Sequence, residues 1–201
     1  MNKRARAFYG AVVWILLIVV GISFGDEWEW LAVVPAALLH ELGHYVAAAV
    51  CGVKITGVRV GILGARMRME GVLSYGKEFG IALSGPAVNA LCALAVCGFS
   101  NGRVDHSPFQ YFFYASVGLG LLNLLPVGTL DGGRMLSALL SYFFSPAVAA
   151  TALRITTTLC LLALWLLAGY ALLWGSPILS SFIFVLALML QYISPQTAKR
   201  E

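Results

Sequence analysis

The chain contains a series of apolar segments, each close to the length that a membrane crossing requires. A bilayer core about 30 Å thick admits helices of about 20 apolar residues and excludes strands and loops that face lipid. Hydrophobic residues form 60% of the chain and charged residues 11%, which is unusual for a soluble domain. We therefore predict an α-helical polytopic membrane protein with about six transmembrane helices, at residues 8–24, 28–50, 79–99, 109–125, 149–174 and 177–193.

The charges beside these segments predict their orientation. Basic residues favour the cytoplasmic side, and they precede the first segment at Lys3, Arg4 and Arg6 and follow the last at Lys199 and Arg200. Both termini of this multi-pass cell-membrane protein are therefore expected in the cytoplasm. Basic residues placed in this way indicate contact with the lipid bilayer, and nucleic acid is not an expected partner.

Residues 53–69 differ from the rest because apolar and polar residues alternate there with the period of a β-strand. We predict a small membrane-associated β-hairpin or sheet after the second helix; the alternative is an ordinary cytoplasmic loop. A shorter apolar segment at residues 135–144 is expected to be re-entrant or interfacial. Residues 1–201 are expected to form a single membrane-embedded domain.

The second apolar segment carries the sequence His-Glu-Leu-Gly-His at residues 40–44. Two histidines four residues apart lie on one face of a helix, where they can share a metal ion. Imidazole nitrogens suit zinc, and Glu41 lies beside the first ligand, where its carboxylate can take a proton from water on the metal. The alternative is a polar cluster that pairs with a neighbouring helix. Because ionisable groups are costly inside a membrane, a functional site is favoured.

Residues 123–134 interrupt the apolar pattern with proline and glycine, which break helices. Such breaks are tolerated at membrane depth around a protein-lined or wet cavity. A catalytic zinc site usually takes three protein ligands, and Asp131, the acid of this stretch, is our candidate for the third. The alternative is that Asp131 pairs with Arg134. Asn89, in the third segment, is of a residue type that more often forms an interhelical hydrogen bond than a catalytic contact.

With these pieces in this order, the sequence resembles the site-2 protease family of intramembrane zinc metalloproteases. It is most similar to the compact bacterial branch that includes a sporulation sigma-factor processing protease. The motifs that carry the resemblance are His40-Glu41-x-x-His44, Gly85-Pro86-x-x-Asn89 and Asn123-x-x-Pro126 with Asp131-Gly132-Gly133.

The resemblance implies a zinc-dependent intramembrane endopeptidase. His40, His44 and Asp131 would bind one Zn2+ per chain, and Glu41 would be the general base. The substrate would be a membrane protein, cut in or near a transmembrane segment, or a leftover signal peptide. A membrane-bound inhibitor or regulator is a further partner consistent with this family.

By the same resemblance, Asn123 and Asn89 would hold substrate or stabilise the developing oxyanion. The chain departs from the branch at Thr129, where a second proline is often found, and neither a PDZ nor a CBS domain is expected. The main alternative function is a metal-ion or proton transporter that uses the same His, Glu and Asp residues. A transporter would usually show repeated halves, and the sequence has no second copy of the histidine segment. An inactive scaffold is disfavoured because every expected ligand is present.

Overall fold

The computed structural model describes residues 27–61, 64–71, 73–99 and 108–173. Within these ranges the chain is mostly helical, with one pair of strands. In chain order the elements are α1 (Glu27–Val50), β1 (Ile55–Gly61), β2 (Gly64–Met69), α2 (Tyr75–Phe99), α3 (Pro108–Asn123), α4 (Asp131–Phe143) and α5 (Pro146–Leu173).

Three helices of the described residues are long and apolar enough to cross a membrane, at Ala32–Val50, Tyr75–Phe99 and Pro146–Tyr170. They correspond to three of the six predicted spans. The predicted span at residues 109–125 corresponds to α3, whose 16 residues extend only about 24 Å at 1.5 Å per residue. The spans predicted at residues 8–24 and 177–193 lie outside the described residues, so the total of six stays a prediction.

The two strands pair antiparallel between α1 and α2, in the segment where the sequence alternates. Their register pairs Gly61 with Gly64 at one end and Ile55 with Met69 at the other, with an irregularity between Ile55 and Gly57. The Lys77 ammonium of α2 donates a hydrogen bond of 2.9 Å to the Cys51 carbonyl oxygen at the end of α1. The strand pair therefore begins next to the point where α1 and α2 are linked. Its association with a membrane surface stays a prediction.

Helix α2 lies at the centre of the described fold, where it packs against α1, α3 and α4, while α5 packs against α4. Between membrane helices, small residues permit the close approach that packing requires. Gly43 of α1 shows this, because a Cβ built on it would lie 2.8 Å from both the Ser84 carbonyl oxygen and Val88 Cγ2. The face of α1 that carries the histidines is thus pressed directly against α2.

Candidate metal centre

The two histidines of α1 lie side by side in the interior of the described fold. His40 is 4% exposed and His44 is 6% exposed. Four residues of helix place the two side chains one turn apart on the same face, and their Nε2 atoms are 3.2 Å apart. The first two residues of the predicted zinc site are therefore close enough to bind one ion.

Asp131 is the first residue of α4, and its carboxylate contacts both histidines. Its Oδ2 lies 3.0 Å from His40 Nε2 and 2.9 Å from His44 Nε2. A carboxylate is favourable at this position because the helix N-terminus carries a partial positive charge. The structure thus brings together the three residues that the sequence proposed as ligands, and it does so across 87 to 91 residues of chain.

The loop before Asp131 is held in place by α5. Val127 and Leu130 are buried in a cluster with Leu161 of α5. The amide of Gly128 donates a hydrogen bond of 2.9 Å to the hydroxyl of Thr157, which is fully buried on α5. Helix α5 therefore fixes the position of Asp131, although it contributes no atom to the triad of His40, His44 and Asp131.

The pairing of Asp131 with Arg134 is also present, but it uses the other carboxylate oxygen. Arg134 Nη1 lies 3.6 Å from Asp131 Oδ1, while Oδ2 faces the histidines. The two interactions do not compete for one atom. The alternative suggested by the sequence is consequently compatible with a metal site.

The hydrogen bonds around His44 determine which of its nitrogens carries the proton. His44 Nδ1 lies 2.7 Å from the carbonyl oxygen of Ile81, which can only accept. Nδ1 must therefore be protonated, and in the neutral ring Nε2 presents a lone pair to the 2.9 Å contact with the Asp131 carboxylate. Two acceptors at that distance need a proton or a cation between them.

A zinc ion fits this set of donor atoms. Tetrahedral nitrogen and oxygen ligands about 2.0–2.2 Å from zinc lie about 3.3–3.5 Å from one another. The three ligand atoms are 2.9, 3.0 and 3.2 Å apart, so they need to separate by only a few tenths of an ångström. Two neutral imidazoles and one carboxylate are also a donor set that catalytic zinc sites use.

Comparison with known proteins agrees with this geometry. The chain is 31% identical over 148 residues to a zinc metalloprotease of Methanocaldococcus jannaschii, covering 67% of this chain and 43% of that protein. It is 29% identical over 161 residues to stage IV sporulation protein FB of Bacillus subtilis, covering 77% of this chain and 55% of that protein. The chain thus spans about half the length of these relatives. A family model, "Peptidase family M50", matches residues 98–167, which include Asp131.

The chain thus carries a peptidase family M50 domain. The resemblance to site-2 proteases expected from the sequence is thereby confirmed. The fold agrees as well: the solved site-2 protease of Methanocaldococcus jannaschii superposes with a TM-score of 0.67 at 22% identity, covering 89% of this chain and 83% of that one. Because the identity is low, this superposition supports the fold alone.

The other predicted site residues make fewer contacts with the group of His40, His44 and Asp131. Glu41 follows His40 on α1 and is half-buried, and its role as general base stays a proposal. Asn123 ends α3, where its side-chain nitrogen donates a hydrogen bond of 3.1 Å to the Leu119 carbonyl oxygen. Asn89 contacts His40 on the side of the ring away from Asp131, with its Nδ2 atom 3.2 Å from His40 Nδ1.

Sequence reasoning missed the part of α2 that supports His44. The Ile81 carbonyl oxygen accepts from the His44 ring and from the Ser84 hydroxyl, the latter at 2.7 Å. A backbone carbonyl leaves no signal in a sequence. Ser84 could have been noticed, because residues 81, 84 and 85 lie on one face of a helix that is already marked by the Gly85-Pro86 motif.

Gly85 of α2 lies directly against the histidine rings, with no room for a side chain. A Cβ at Gly85 would lie 2.6 Å from His44 Cε1 and 2.7 Å from His40 Nε2. We expect Gly85→Ala to displace the rings and to abolish stoichiometric zinc binding, measured as metal content of the purified protein. Gly80→Ala on the same helix is the matched control, since a Cβ there meets no atom within 4 Å. Equal zinc content in the two variants would contradict this account of the packing.

Proposed function

We propose that this M50 chain is a zinc-dependent intramembrane endopeptidase that hydrolyses a peptide bond in or near a transmembrane segment of another membrane protein. One observation carries the proposal. The Nε2 atoms of two buried histidines and one oxygen of a buried carboxylate lie within 3.2 Å of one another, although 87 to 91 residues of chain separate the carboxylate from the histidines. One of the elements is a helix apolar enough to cross a membrane. The relatives named as zinc metalloproteases support zinc as the metal.

The chain's own residues would divide the chemistry as follows. When bound, zinc supplies a Lewis acid that polarises a carbonyl and acidifies water. His40, His44 and Asp131 hold it. Glu41 accepts a proton from the attacking water and can later return it to the leaving amine, the role of a general acid–base group within hydrogen-bond reach of its substrate. Asn123, which ends the helix before the loop, is proposed to hold substrate or the developing oxyanion.

The function is tested by cleavage in native membranes. Membranes from the cell in which the chain occurs are incubated with and without a zinc chelator, and new protein termini are identified by mass spectrometry. We expect new termini in or near transmembrane segments, their loss with the chelator, and their return when zinc is added back. A set of fragments that does not change with zinc would contradict the proposal. A transporter using the same residues would give no new termini.

We further propose that the centre faces the cytoplasmic half of the bilayer, with both termini in the cytoplasm. The support is the clustering of basic residues at both ends and around the strand pair. Cysteine labelling at position 66, in an otherwise cysteine-free variant, is expected to require access from the cytoplasm. Labelling of intact cells by an impermeant reagent would overturn this orientation.

The strand pair is proposed to bind the substrate. A helical substrate must unwind before its carbonyls can react, and its freed amides then need partners, since an unsatisfied group in a dry site costs several kcal/mol. The free edge of a two-stranded sheet can provide them by adding the substrate as another strand. The pair follows α1, the helix that carries His40 and His44, so an added strand would lie near the centre.

Strand addition predicts that substrate helix stability limits the rate. Helix-breaking residues placed near the scissile bond should speed cleavage. A proline at Val60 or Met67 of the enzyme should slow cleavage where it removes an outward-facing amide, while zinc remains bound. Rates measured with a substrate series of graded helix propensity are the check. If the cleavage rate changed neither with substrate helix propensity nor with the enzyme prolines, strand addition would be excluded.

A further inference from the structure

The Asn89 side chain is fully buried on α2 and contacts the ring nitrogen of His40 that does not face Asp131. Its Nδ2 atom lies 3.2 Å from His40 Nδ1, on the far side of the ring from the Asp131 contact. Helix α3 packs against Asn89, because a Cβ built on Gly120 would lie 3.4 Å from Asn89 Cβ. Asn89 is therefore placed to act on the ring of His40 rather than on substrate.

The two histidines differ in the groups that face their Nδ1 atoms. His44 faces the Ile81 carbonyl oxygen, which can only accept, so its protonation is fixed. His40 faces a carboxamide, which donates through nitrogen and accepts through oxygen. Among the residues that the structure describes, Asn89 Oδ1 has no hydrogen-bond partner. Because this oxygen makes no hydrogen bond within the described part of the chain, it does not fix the amide in one orientation.

The observed contact suits His40 without a metal. When Asn89 Nδ2 donates, His40 Nδ1 must accept, and the ring proton then lies on Nε2. That proton can be donated over 3.0 Å to Asp131 Oδ2. A histidine that binds a metal through Nε2 must instead carry its proton on Nδ1 and donate it to an acceptor.

We propose that Asn89 is the positioning residue for His40, and that its carboxamide turns over when metal binds. In the turned orientation Oδ1 occupies the place of Nδ2 and accepts the Nδ1 proton of His40. The ring keeps its position while its Nε2 lone pair becomes available. The inference rests on the proposed zinc site, and it explains why an amide, which can serve both states, faces this nitrogen.

Zinc affinity of the full chain in detergent, measured by competition with a chelator, tests the positioning role. Loss of an outer partner of a ligand costs about 10- to 100-fold in metal affinity, and we expect that loss for Asn89→Leu. Asn89→Asp keeps an acceptor and should bind zinc at least as tightly as the native chain. Ser116→Ala is the control, because Ser116 is also fully buried and its hydroxyl has no partner among the described residues. Native affinity in Asn89→Leu would overturn the proposal, as would equal weakening by leucine and aspartate.

The turnover is tested in the unaltered protein, so no variant needs to fold. The chain has three histidines, and nitrogen NMR of 15N-histidine-labelled protein distinguishes a protonated from an unprotonated ring nitrogen. On addition of zinc alone, Nδ1 of His40 should change from unprotonated to protonated, while Nδ1 of His44 stays protonated. A His40 Nδ1 that is protonated before zinc is added would exclude the turnover. Absence of any zinc binding by the native chain would instead count against the proposed function.

Discussion

Asp131→Ala is expected to lose its zinc. The carboxylate supplies one of three ligand atoms, and its Oδ2 lies within 3.0 Å of both histidine Nε2 atoms. Removing it leaves two nitrogens, too few for a site that normally uses three protein ligands. The affinity should therefore fall by more than the roughly 100-fold upper limit for loss of an outer partner. Metal analysis and chelator competition on the purified protein measure this.

Arg134→Gln provides the comparison for this variant. It removes the 3.6 Å contact to Asp131 Oδ1 and leaves Oδ2 toward the histidines. Arg134 is partly exposed, and such ion pairs contribute about 0–1 kcal/mol, so zinc affinity should change less than tenfold. If both variants kept their zinc, or lost it equally, Asp131 would not be the third ligand.

Glu41→Gln is expected to lose activity by at least 100-fold while keeping its zinc. Glutamine preserves the shape of the side chain but cannot take a proton, and general acid–base groups contribute about 10²–10⁴ in rate. The triad consists of His40, His44 and Asp131, so the metal should be unaffected. Initial cleavage rates of a membrane substrate, at equal zinc content, are the measurement.

The control for Glu41→Gln is Glu70→Gln, which removes an exposed carboxylate 3.6 Å from the Lys54 ammonium. That variant should cleave at close to the native rate. A Glu41→Gln enzyme that retained most of its activity at neutral pH would remove Glu41 from the mechanism. Loss of zinc in the same variant would show that Glu41 acts on the metal site itself.

The sequence predicted the three residues of the candidate centre because their signals are local. The spacing of His40 and His44 follows from helix geometry, and Asp131 stands out as an acid among helix-breaking residues. The contacts behind the ligands could not be predicted. They involve the Ile81 carbonyl oxygen and the orientation of the Asn89 amide, which depend on how α2 packs against α1.

The start of α4 could not be predicted from hydropathy. Hydropathy places the short apolar segment at residues 135–144, whereas α4 begins at Asp131 and ends at Phe143. Its first turn contains Asp131 and two glycines, which apolar content does not mark as helical. That turn is stabilised by packing, since Asp131, Gly132 and Gly133 are all buried. Tertiary contact therefore sets a boundary that composition places four residues later.

The contact between α5 and the loop before Asp131 has a consequence for the order of synthesis. The histidines are made early, at positions 40 and 44, but Thr157 and Leu161, which hold the loop, come more than a hundred residues later. A chain still emerging into the membrane would present both histidines before the carboxylate is fixed against them. We therefore expect the centre to be completed only after α5 has been inserted, when most of the described fold is in place.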